Sequence, residues 1–324
     1  MKSYDSYLVT GAMGFIGSHW CEYLLRKGKK VIGLDMALHY EKLLEYDNFV
    51  FLQDTIKNVE ILGAAVSRVD CICHFAGIAT PVQYVKTPRK VIDVTAVAGI
   101  EFIELCRLSG KLFFFASTSE VYGKNTKIPF KEDADRVLGA TTTKRWCYAT
   151  SKAILEHYLD ACAFSKELEY VTVRLFNVYG PRLRGRVVSH FVDAAIKNED
   201  LIVHGDGKQT RCFTFIDDVI DAFDLLIHDP ECYNQIFNVG NPKETSIGEL
   251  ATIVKNIGDA QSNIRSIPHL EYYGSGYEDI YRRVPDVSKI KQYTGWEPVT
   301  SLEEGIAKTI QHGKSAVKDA ALDS

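Results

Sequence analysis

Tyr148 and Lys152 are two side chains that could together move a proton. A tyrosine and a lysine at this spacing lie on one face of a helix, and residues 148–164 are predicted to be helical. A lysine ammonium near a phenol is expected to lower the pKa of the phenol, which makes a usable base near neutral pH. The same spacing also occurs in ordinary amphipathic helices, so other residues must decide between the two interpretations.

Hydroxyl side chains stand at the end of the fifth predicted strand, in residues 117–123. Open α/β sheets bind their ligands outside the carboxyl ends of the strands. Thr118 and Ser119 could therefore bind a sugar hydroxyl beside Tyr148. This placement favours catalysis by the tyrosine and lysine over the interpretation as an ordinary helix.

The first predicted strand is followed by a glycine motif, Gly11, Gly14 and Gly17, which opens a helix. The glycines allow a tight turn, a close approach of a pyrophosphate and close packing of helix on strand. Asp35 ends the second strand, where a carboxylate binds the 2′-hydroxyl of a ribose and repels a 2′-phosphate. The sequence therefore predicts a dinucleotide site that prefers NAD to NADP. The predicted cofactor-binding residues are Gly11, Gly14, Phe15, Ile16, Gly17, Asp35, Asp54, Thr55, Phe75, Ala76, Tyr148 and Lys152.

Strands that alternate with helices must position these residues. Strands are predicted at residues 7–10, 31–35, 49–53, 71–75, 112–116 and 171–175, and helices at 15–27, 91–109 and 148–164. Beyond residue 177 the pattern predicts helices at 213–228, 247–257 and 302–312 and a strand at 236–239. The fold class is therefore α/β, a Rossmann doubly wound parallel sheet with a smaller C-terminal substrate-binding domain. We assign residues 1–176, with 212–241 returning, to the NAD-binding domain, and 177–211 with 242–324 to the substrate-binding domain.

Composition excludes several other classes of protein. The 324 residues are 46% hydrophobic and carry a net charge of −4, so nothing predicts binding to nucleic acid or to a membrane. No secretory signal and no membrane span is recognisable, and the eight scattered cysteines predict buried thiols in a cytoplasmic protein. The cysteines and histidines lack metal-ligand spacing, so no metal site is expected.

The sequence resembles the extended short-chain dehydrogenase/reductase family of nucleotide-sugar epimerases, dehydratases and decarboxylases. The landmarks are residues 10–17, Asp35, and residues 74–77, 117–123, 148–152, 174–182 and 295–298. The resemblance implies a catalytic triad of Thr118, Tyr148 and Lys152, and a tightly held NAD+ that takes a hydride from sugar C4. It also implies a homodimer packed through the helices near Val97 and Tyr148. One departure is Ala96, where the family often has asparagine.

Further details resemble the UDP-glucuronate decarboxylase branch of the family. The resembling stretches are residues 145–148, 185–189, 209–214, 272–279 and 282–286. Ser119 stands where the 4,6-dehydratases carry an aspartic acid, and a serine cannot donate a proton in that way. The resemblance implies that Arg283 holds a sugar carboxylate and that Glu120 acts as an acid or base near C5 and C6.

The sequence-based hypothesis is therefore decarboxylation of UDP-glucuronate to UDP-xylose or a UDP-4-keto-pentose. The predicted substrate-binding residues are Thr118, Asn177, Arg186, Val187, Arg211 and Arg283. The alternatives are 4-epimerisation, 4-oxidation or 4,6-dehydration through the same 4-keto sugar. A non-catalytic NAD sensor on this fold is disfavoured because both Tyr148 and Lys152 are present.

Overall fold

A seven-stranded parallel sheet forms the centre of the protein. The computed structural model describes residues 2–268 and 280–322, and the side chains of those up to residue 316. The order of the strands in the sheet is β11-β6-β5-β4-β1-β2-β3. Their bounds are β1 Ser6–Thr10, β2 Lys30–Asp35, β3 Phe49–Gln53, β4 Cys71–His74, β5 Leu112–Thr118, β6 Glu169–Leu175 and β11 Gln235–Val239.

The chain turns outward in both directions from β1, since β2 and β3 lie on one side and β4, β5 and β6 on the other. Such a reversal of strand order opens a crevice at the carboxyl ends of the strands, where α/β proteins bind ligands. Thr10 and His74 end the two strands that border the crevice and are partners in the register of the sheet. The predicted doubly wound parallel sheet is confirmed.

Helices pack on both faces of the sheet, and further helices lie in the second half of the chain together with short strands. The helices are α1 Phe15–Arg26, α2 Val59–Val66, α3 Pro81–Lys86, α4 Pro88–Ile92, α5 Ala98–Cys106, α6 Trp146–Phe164, α7 Val187–Lys197, α8 Ile216–His228, α9 Ile247–Gly258, α10 Ser288–Thr294 and α11 Leu302–Leu322. Short 3-10 turns span Glu41–Glu45, Ser119–Tyr122 and Pro230–Cys232. Smaller strand pairs join β7 Val178–Tyr179 to β10 Thr214–Phe215, β8 Leu201–His204 to β13 Ile264–Ile267, and β9 Thr210–Cys212 to β12 Glu244–Ser246.

The central strands are apolar on both faces because each face packs against a different hydrophobic cluster. In β5, Leu112 and Phe114 belong to the cluster that contains Trp20, whereas Phe113 and Phe115 belong to the one that contains Leu155. This alternation explains the continuous apolar runs of the sequence, which fit strands buried on both sides.

Three predicted elements need correction. The helix predicted at residues 213–228 begins only at Ile216, because β10 occupies the preceding residues. The helix predicted at 91–109 is interrupted by a π-helical segment at Asp93–Val97, which contains Ala96. The last helix continues to Leu322 rather than ending near residue 312.

The division into two domains stays a prediction. The position of β11 beside β6 supports the part of it that returns residues 212–241 to the NAD-binding domain. The stretch 272–279, which carried part of the resemblance, lies outside the described residues. Within the described part of the chain, no helix is both long enough and apolar enough to cross a membrane. The same residues contain no group of three metal-ligating side chains that could hold an ion.

Candidate active site

A cleft of about 540 Å³ lies at the carboxyl ends of the central strands, and its volume is typical of a small-molecule site. It is lined by the glycine loop, the end of β5, the start of α6 and the segment that leads into α7. The predicted site residues that line it are Gly11, Gly14, Phe15, Ile16, Gly17, Phe75, Thr118, Ser119, Glu120, Tyr148, Lys152, Asn177, Arg186, Val187, Arg211 and Arg283. The cleft therefore brings together residues that are far apart in the sequence.

The glycine loop at the N-terminus of α1 can pack this tightly only because it lacks side chains. Gly11 has a φ of +72°, and a Cβ there would lie 2.8 Å from the backbone nitrogen of Ala76. A Cβ at Gly17 would lie 2.0 Å from the carbonyl oxygen of Gly11. Gly14 immediately precedes α1, and the first residues of this helix line the cleft. The free amide groups of the first helical turn are therefore available to a ligand there. A loop of this form fits the pyrophosphate of a dinucleotide.

Asp35 lies at the end of β2 beside the glycine loop. Its Oδ2 accepts a hydrogen bond from the backbone N–H of Met13 at 3.0 Å, which fixes the carboxylate against the loop. Asp54 lies at the end of the neighbouring strand β3, where its carboxylate accepts bonds from the Thr55 N–H at 2.6 Å and from Asn58 at 3.0 Å. Among the described residues, the predicted cofactor residues Asp35, Asp54, Thr55 and Ala76 lie outside the lining of the cleft.

Tyr148 is buried in the cleft and stacks on Tyr84, with ring centroids 4.7 Å apart and an angle of 8° between the planes. Burial raises the pKa of Tyr148 well above its ordinary value, and the charge of Glu120 raises it further. Arg186 and a hydrogen bond with Thr118 lower this pKa. The phenol pKa is thus raised rather than lowered as the sequence suggested, because burial is the largest effect and the Lys152 ammonium donates its hydrogen bond to Ala116.

Lys152 lies one helical turn after the tyrosine and donates a hydrogen bond to the carbonyl oxygen of Ala116 at 2.7 Å. Its Nζ lies 4.6 Å from the centre of the Phe115 ring. Burial lowers the pKa of Lys152 to about 7, and the negative charge of Glu156 opposes that shift. The lysine is therefore held at the end of β5 in an apolar pocket, where a small change in nearby charge changes its protonation.

Glu120 is a buried carboxylate between two buried arginines. Its Oε2 lies 3.6 Å from Nη2 of Arg145, and its Oε1 lies 3.5 Å from Nη1 of Arg283. The side chains of these arginines are 1% and 9% exposed, so the pairs are shielded from solvent. The structure thus brings Glu120 and Arg283 together, although 163 positions separate them in the chain.

Four nearby arginines determine the charge state of Glu120. Burial alone would raise the pKa of this carboxyl, but Arg145, Arg283, Arg186 and Arg211 together lower it below its ordinary value. Glu120 is therefore ionised at neutral pH. In this form it can accept a proton or a hydrogen bond, and its role as an acid or base near C5 and C6 stays a prediction.

The remaining predicted substrate residues line the cleft from the second half of the chain, with Asn177 after β6, Arg186 and Val187 at the start of α7, and Arg211 in β9. Arg186 donates a hydrogen bond to the carbonyl oxygen of Ala79, which also lines the cleft. Arg211 donates to the carbonyl oxygen of Thr210 at 2.8 Å. Asn177 has a φ of +35° and donates from its amide to the carbonyl oxygen of Cys212 at 3.2 Å.

The model of the NAD-dependent epimerase/dehydratase family matches residues 7–240 of this chain. The chain belongs to this family. The glycine loop and Asp35 fit the NAD that the family uses, so the protein is an NAD-dependent enzyme of nucleotide-sugar chemistry.

Members of this family with assigned activities resemble the chain over most of its length. It is 35% identical to the UDP-N-acetyl-alpha-D-glucosaminuronate decarboxylase of Bacillus cytotoxicus, over 94% of this chain and 96% of that protein. It is 32% identical to UDP-glucuronic acid decarboxylase 1 of Danio rerio, over 96% of this chain and 73% of that protein. Among solved structures, the UDP-glucose 4-epimerase of Thermotoga maritima with UDP-glucose has a TM-score of 0.87 at 28% identity, covering 96% of this chain and 99% of that one.

Sequence reasoning missed two residues of the site, Arg145 beside Glu120 and Tyr84 in the lining of the cleft. Arg145 lies in a stretch that carried the resemblance, yet its pairing with Glu120 requires the start of α6 to meet the end of β5. Its place three residues before Tyr148, one helical turn away, is the signal that could have found it. Tyr84 gave no signal, because an aromatic residue in a short predicted helix is most often part of the core.

Proposed function

We propose that the protein decarboxylates a UDP-linked sugar acid, with UDP-glucuronate as the substrate and UDP-xylose or a UDP-4-keto-pentose as the product. The observation that carries the proposal is the buried Glu120 with Arg145 on one side and Arg283 on the other. A sugar carboxylate would bring a second negative charge to this pair of buried arginines, whereas a neutral sugar would not. The names of the relatives that are 35% and 32% identical to the chain also support a sugar acid.

The balance of charge in the cleft supports the same class of substrate. Among the described residues that line the cleft, Glu120 is the one carboxylate, against the arginines Arg184, Arg186, Arg211 and Arg283, so the cleft carries a surplus of positive charge. A nucleoside diphosphate sugar acid brings negative charge at two places, the diphosphate and the sugar carboxylate. We assign Arg186, Val187, Arg211 and Asn177 to the nucleotide side, and Arg283 to the carboxylate, whose planar shape matches a guanidinium.

The catalytic pair acts first. The chemistry that NAD supplies when bound is acceptance of a hydride from sugar C4. Tyr148, hydrogen-bonded to Thr118, takes the proton of the C4 hydroxyl in its ionised form, which the positive charge of Arg186 favours. Lys152 lies one helical turn away and is held at the end of β5 by its bond to Ala116. Ser119 is buried beside them and lacks an acidic proton, which argues against 4,6-dehydration.

Loss of CO2 follows from the electronic structure of the oxidised sugar. With a ketone at C4, the C6 carboxylate is a β-keto acid, so the C5–C6 bond can break and its electron pair can pass into an enolate. Arg283 holds the carboxylate until the bond breaks and CO2 leaves, and C5 of the enolate then takes up a proton from water. Return of the hydride to C4, with the proton that Tyr148 holds, gives UDP-xylose, whereas without this return the product is the UDP-4-keto-pentose. Glu120 is ionised and therefore orients groups around C5 or accepts a proton, while the positive groups of the cleft stabilise the enolate.

A second candidate function is 4-epimerisation, which uses the same C4 oxidation without loss of carbon. The resemblance to the solved UDP-glucose 4-epimerase favours it. Incubation of the enzyme with UDP-glucuronate, its 2-acetamido analogue, UDP-glucose and a dTDP-sugar separates the candidates by product mass. Loss of the mass of CO2 from an acid supports decarboxylation. Loss of the mass of water indicates dehydration, and an unchanged mass with a new chromatographic position indicates epimerisation.

We further propose a cytoplasmic homodimer packed through α4, α5 and α6. Three large apolar side chains on these helices and the π-helical segment between them, Ile92, Val97 and Ile154, are more than 40% exposed in the single chain. Seven of the eight cysteines are buried, and all eight are free thiols, as suits a reducing compartment. Light scattering of the wild type and of Val97→Glu tests the dimer, which the charged variant should dissociate.

A further inference from the structure

The end of β5 meets the catalytic helix at three successive residues. The carbonyl of Ala116 accepts the Lys152 ammonium, the hydroxyl of Ser117 donates to the carboxylate of Glu156, and Thr118 bonds to Tyr148. Tyr148, Lys152 and Glu156 lie on successive turns of one helix, so their side chains form a single stripe. Glu156 therefore extends the row formed by the catalytic pair, and the proposed function gives it no role.

Glu156 is buried in an ion pair with Arg174 of β6. Nη2 of the arginine lies 2.7 Å from Oε2 of Glu156, and its Nε lies 3.2 Å from both carboxylate oxygens. Arg174 also donates to the hydroxyl of Tyr122 at 2.9 Å and to the carbonyl of Glu132 at 2.8 Å. The bidentate contact with Glu156 and the further bonds of Arg174 satisfy both buried charges. The carboxylate of Glu156 is therefore fixed one helical turn beyond Lys152.

We propose that Glu156 is a positioning residue for the reaction, which keeps the Lys152 ammonium charged and in register with the end of β5. This inference rests on the proposed function only in taking Tyr148 and Lys152 as the catalytic pair. Arg174 holds the carboxylate in place, and Ser117 ties it to the strand that also binds the lysine. These bonds keep the negative charge of Glu156 at a fixed distance from Lys152.

The groups around the lysine support this role. Burial lowers the pKa of Lys152 to about 7, and Glu156 is the group that raises it. His74 of β4 also faces the lysine, but burial and the lysine charge lower the pKa of His74 to about 3, so it is neutral. Tyr148 is a neutral phenol one turn earlier, and Arg174 lies behind Glu156 on β6. Without the carboxylate, the lysine would lose its ammonium charge at a lower pH.

Chemical titration of Lys152 in the full chain tests the proposal without any substrate. Acetic anhydride modifies only the uncharged amine, and peptide mass spectrometry gives the rate at this lysine at each pH. In Glu156→Gln, we expect the pKa of Lys152 to fall by about one unit or more, as for loss of an opposite charge at close range. Asp160→Asn is the matched control, because it makes the same change of charge one turn further along α6, at an exposed position.

Two further variants separate charge from packing. Glu156→Asp keeps the charge and should leave the pKa of Lys152 near the wild-type value. Glu156→Gln combined with Arg174→Met removes both buried charges, so it should recover the thermal stability that the single variant loses while the lysine pKa stays low. This double variant also covers the case in which Glu156→Gln does not fold.

The proposal is overturned if Lys152 titrates in the folded single or double variant as it does in the wild type. It is also overturned if Asp160→Asn moves the pKa as far as Glu156→Gln does. A failure to find decarboxylation would leave these results unaffected, since no step of the titration uses a sugar. With an active substrate in hand, the fall in kcat at high pH should move to lower pH in Glu156→Gln.

Discussion

Replacing Arg283 with alanine should remove the preference of the enzyme for an acidic sugar over a neutral one. The guanidinium is buried and lies 3.5 Å from Glu120, in a part of the cleft where solvent does not screen charges. In Arg283→Ala, a bound sugar carboxylate would lose its bidentate partner and would face Glu120 with less positive charge nearby. Binding of the acid should therefore weaken much more than binding of UDP alone.

The loss of affinity in Arg283→Ala can be estimated from the burial of its ion pair with Glu120. Truncation of one partner of a buried, hydrogen-bonded charge pair costs about 2–5 kcal/mol, which is about 30- to 4000-fold in affinity. Because Arg145 remains on the other side of Glu120, at 3.6 Å, the lower half of that range applies. We expect a loss of about 30- to 300-fold for Arg283→Ala and of about tenfold for Arg283→Lys, which keeps the charge but not the fork.

Calorimetry with UDP-glucuronate, UDP-glucose and UDP on each variant measures the preference directly. Arg282→Ala is the matched control, because this neighbouring arginine is half exposed and pairs with Glu244 outside the cleft. The control should bind all three ligands like the wild type. A wild type without preference for the acid, or an unchanged preference in Arg283→Ala, would refute the assignment of Arg283 to the carboxylate.

Three more predictions follow from the cleft. Tyr148→Phe should lower turnover by about 10²- to 10⁴-fold, with NAD affinity retained in fluorescence titrations; near-normal turnover would exclude the tyrosine as the base. Asp35→Ser should relax the preference for NAD over NADP, and equal binding of both by the wild type would contradict the role of this carboxylate. Arg145→Met should raise the pKa of Glu120, which is lowered in the wild type by its arginines. Because the ionised carboxylate is lost as pH falls through its pKa, the acid limb of the kcat profile should then move to higher pH; an unmoved limb would exclude this coupling.

Local patterns were enough to predict the parts of the protein that depend on local geometry. The spacing of Gly11, Gly14 and Gly17 predicted a tight loop, and the structure shows that Gly11 and Gly17 leave no room for a Cβ. Asp35 could be placed beside that loop because the carboxyl ends of neighbouring parallel strands meet. Apolar runs predicted the strands of the sheet, since burial on both faces leaves no alternation to read.

Properties that arise from contacts between distant segments could not be read in advance. The ionised state of Glu120 depends on arginines from four different parts of the chain. The raised pKa of Tyr148 depends on burial against Tyr84, which outweighs the effect expected from the lysine alone. The π-helical segment at Asp93–Val97, which contains Ala96, interrupts a stretch that the sequence predicts as one unbroken helix.

The fate of the carboxyl carbon tests the central claim most directly. UDP-glucuronate labelled with ¹³C at C6 can be followed by carbon NMR during incubation with the wild-type enzyme and NAD. The account predicts that the label leaves the sugar as CO2 and bicarbonate while a UDP-pentose accumulates, and that Tyr148→Phe slows this release. Retention of the label at C6 in a UDP-hexuronate of inverted C4 configuration would contradict decarboxylation and would establish the protein as a 4-epimerase.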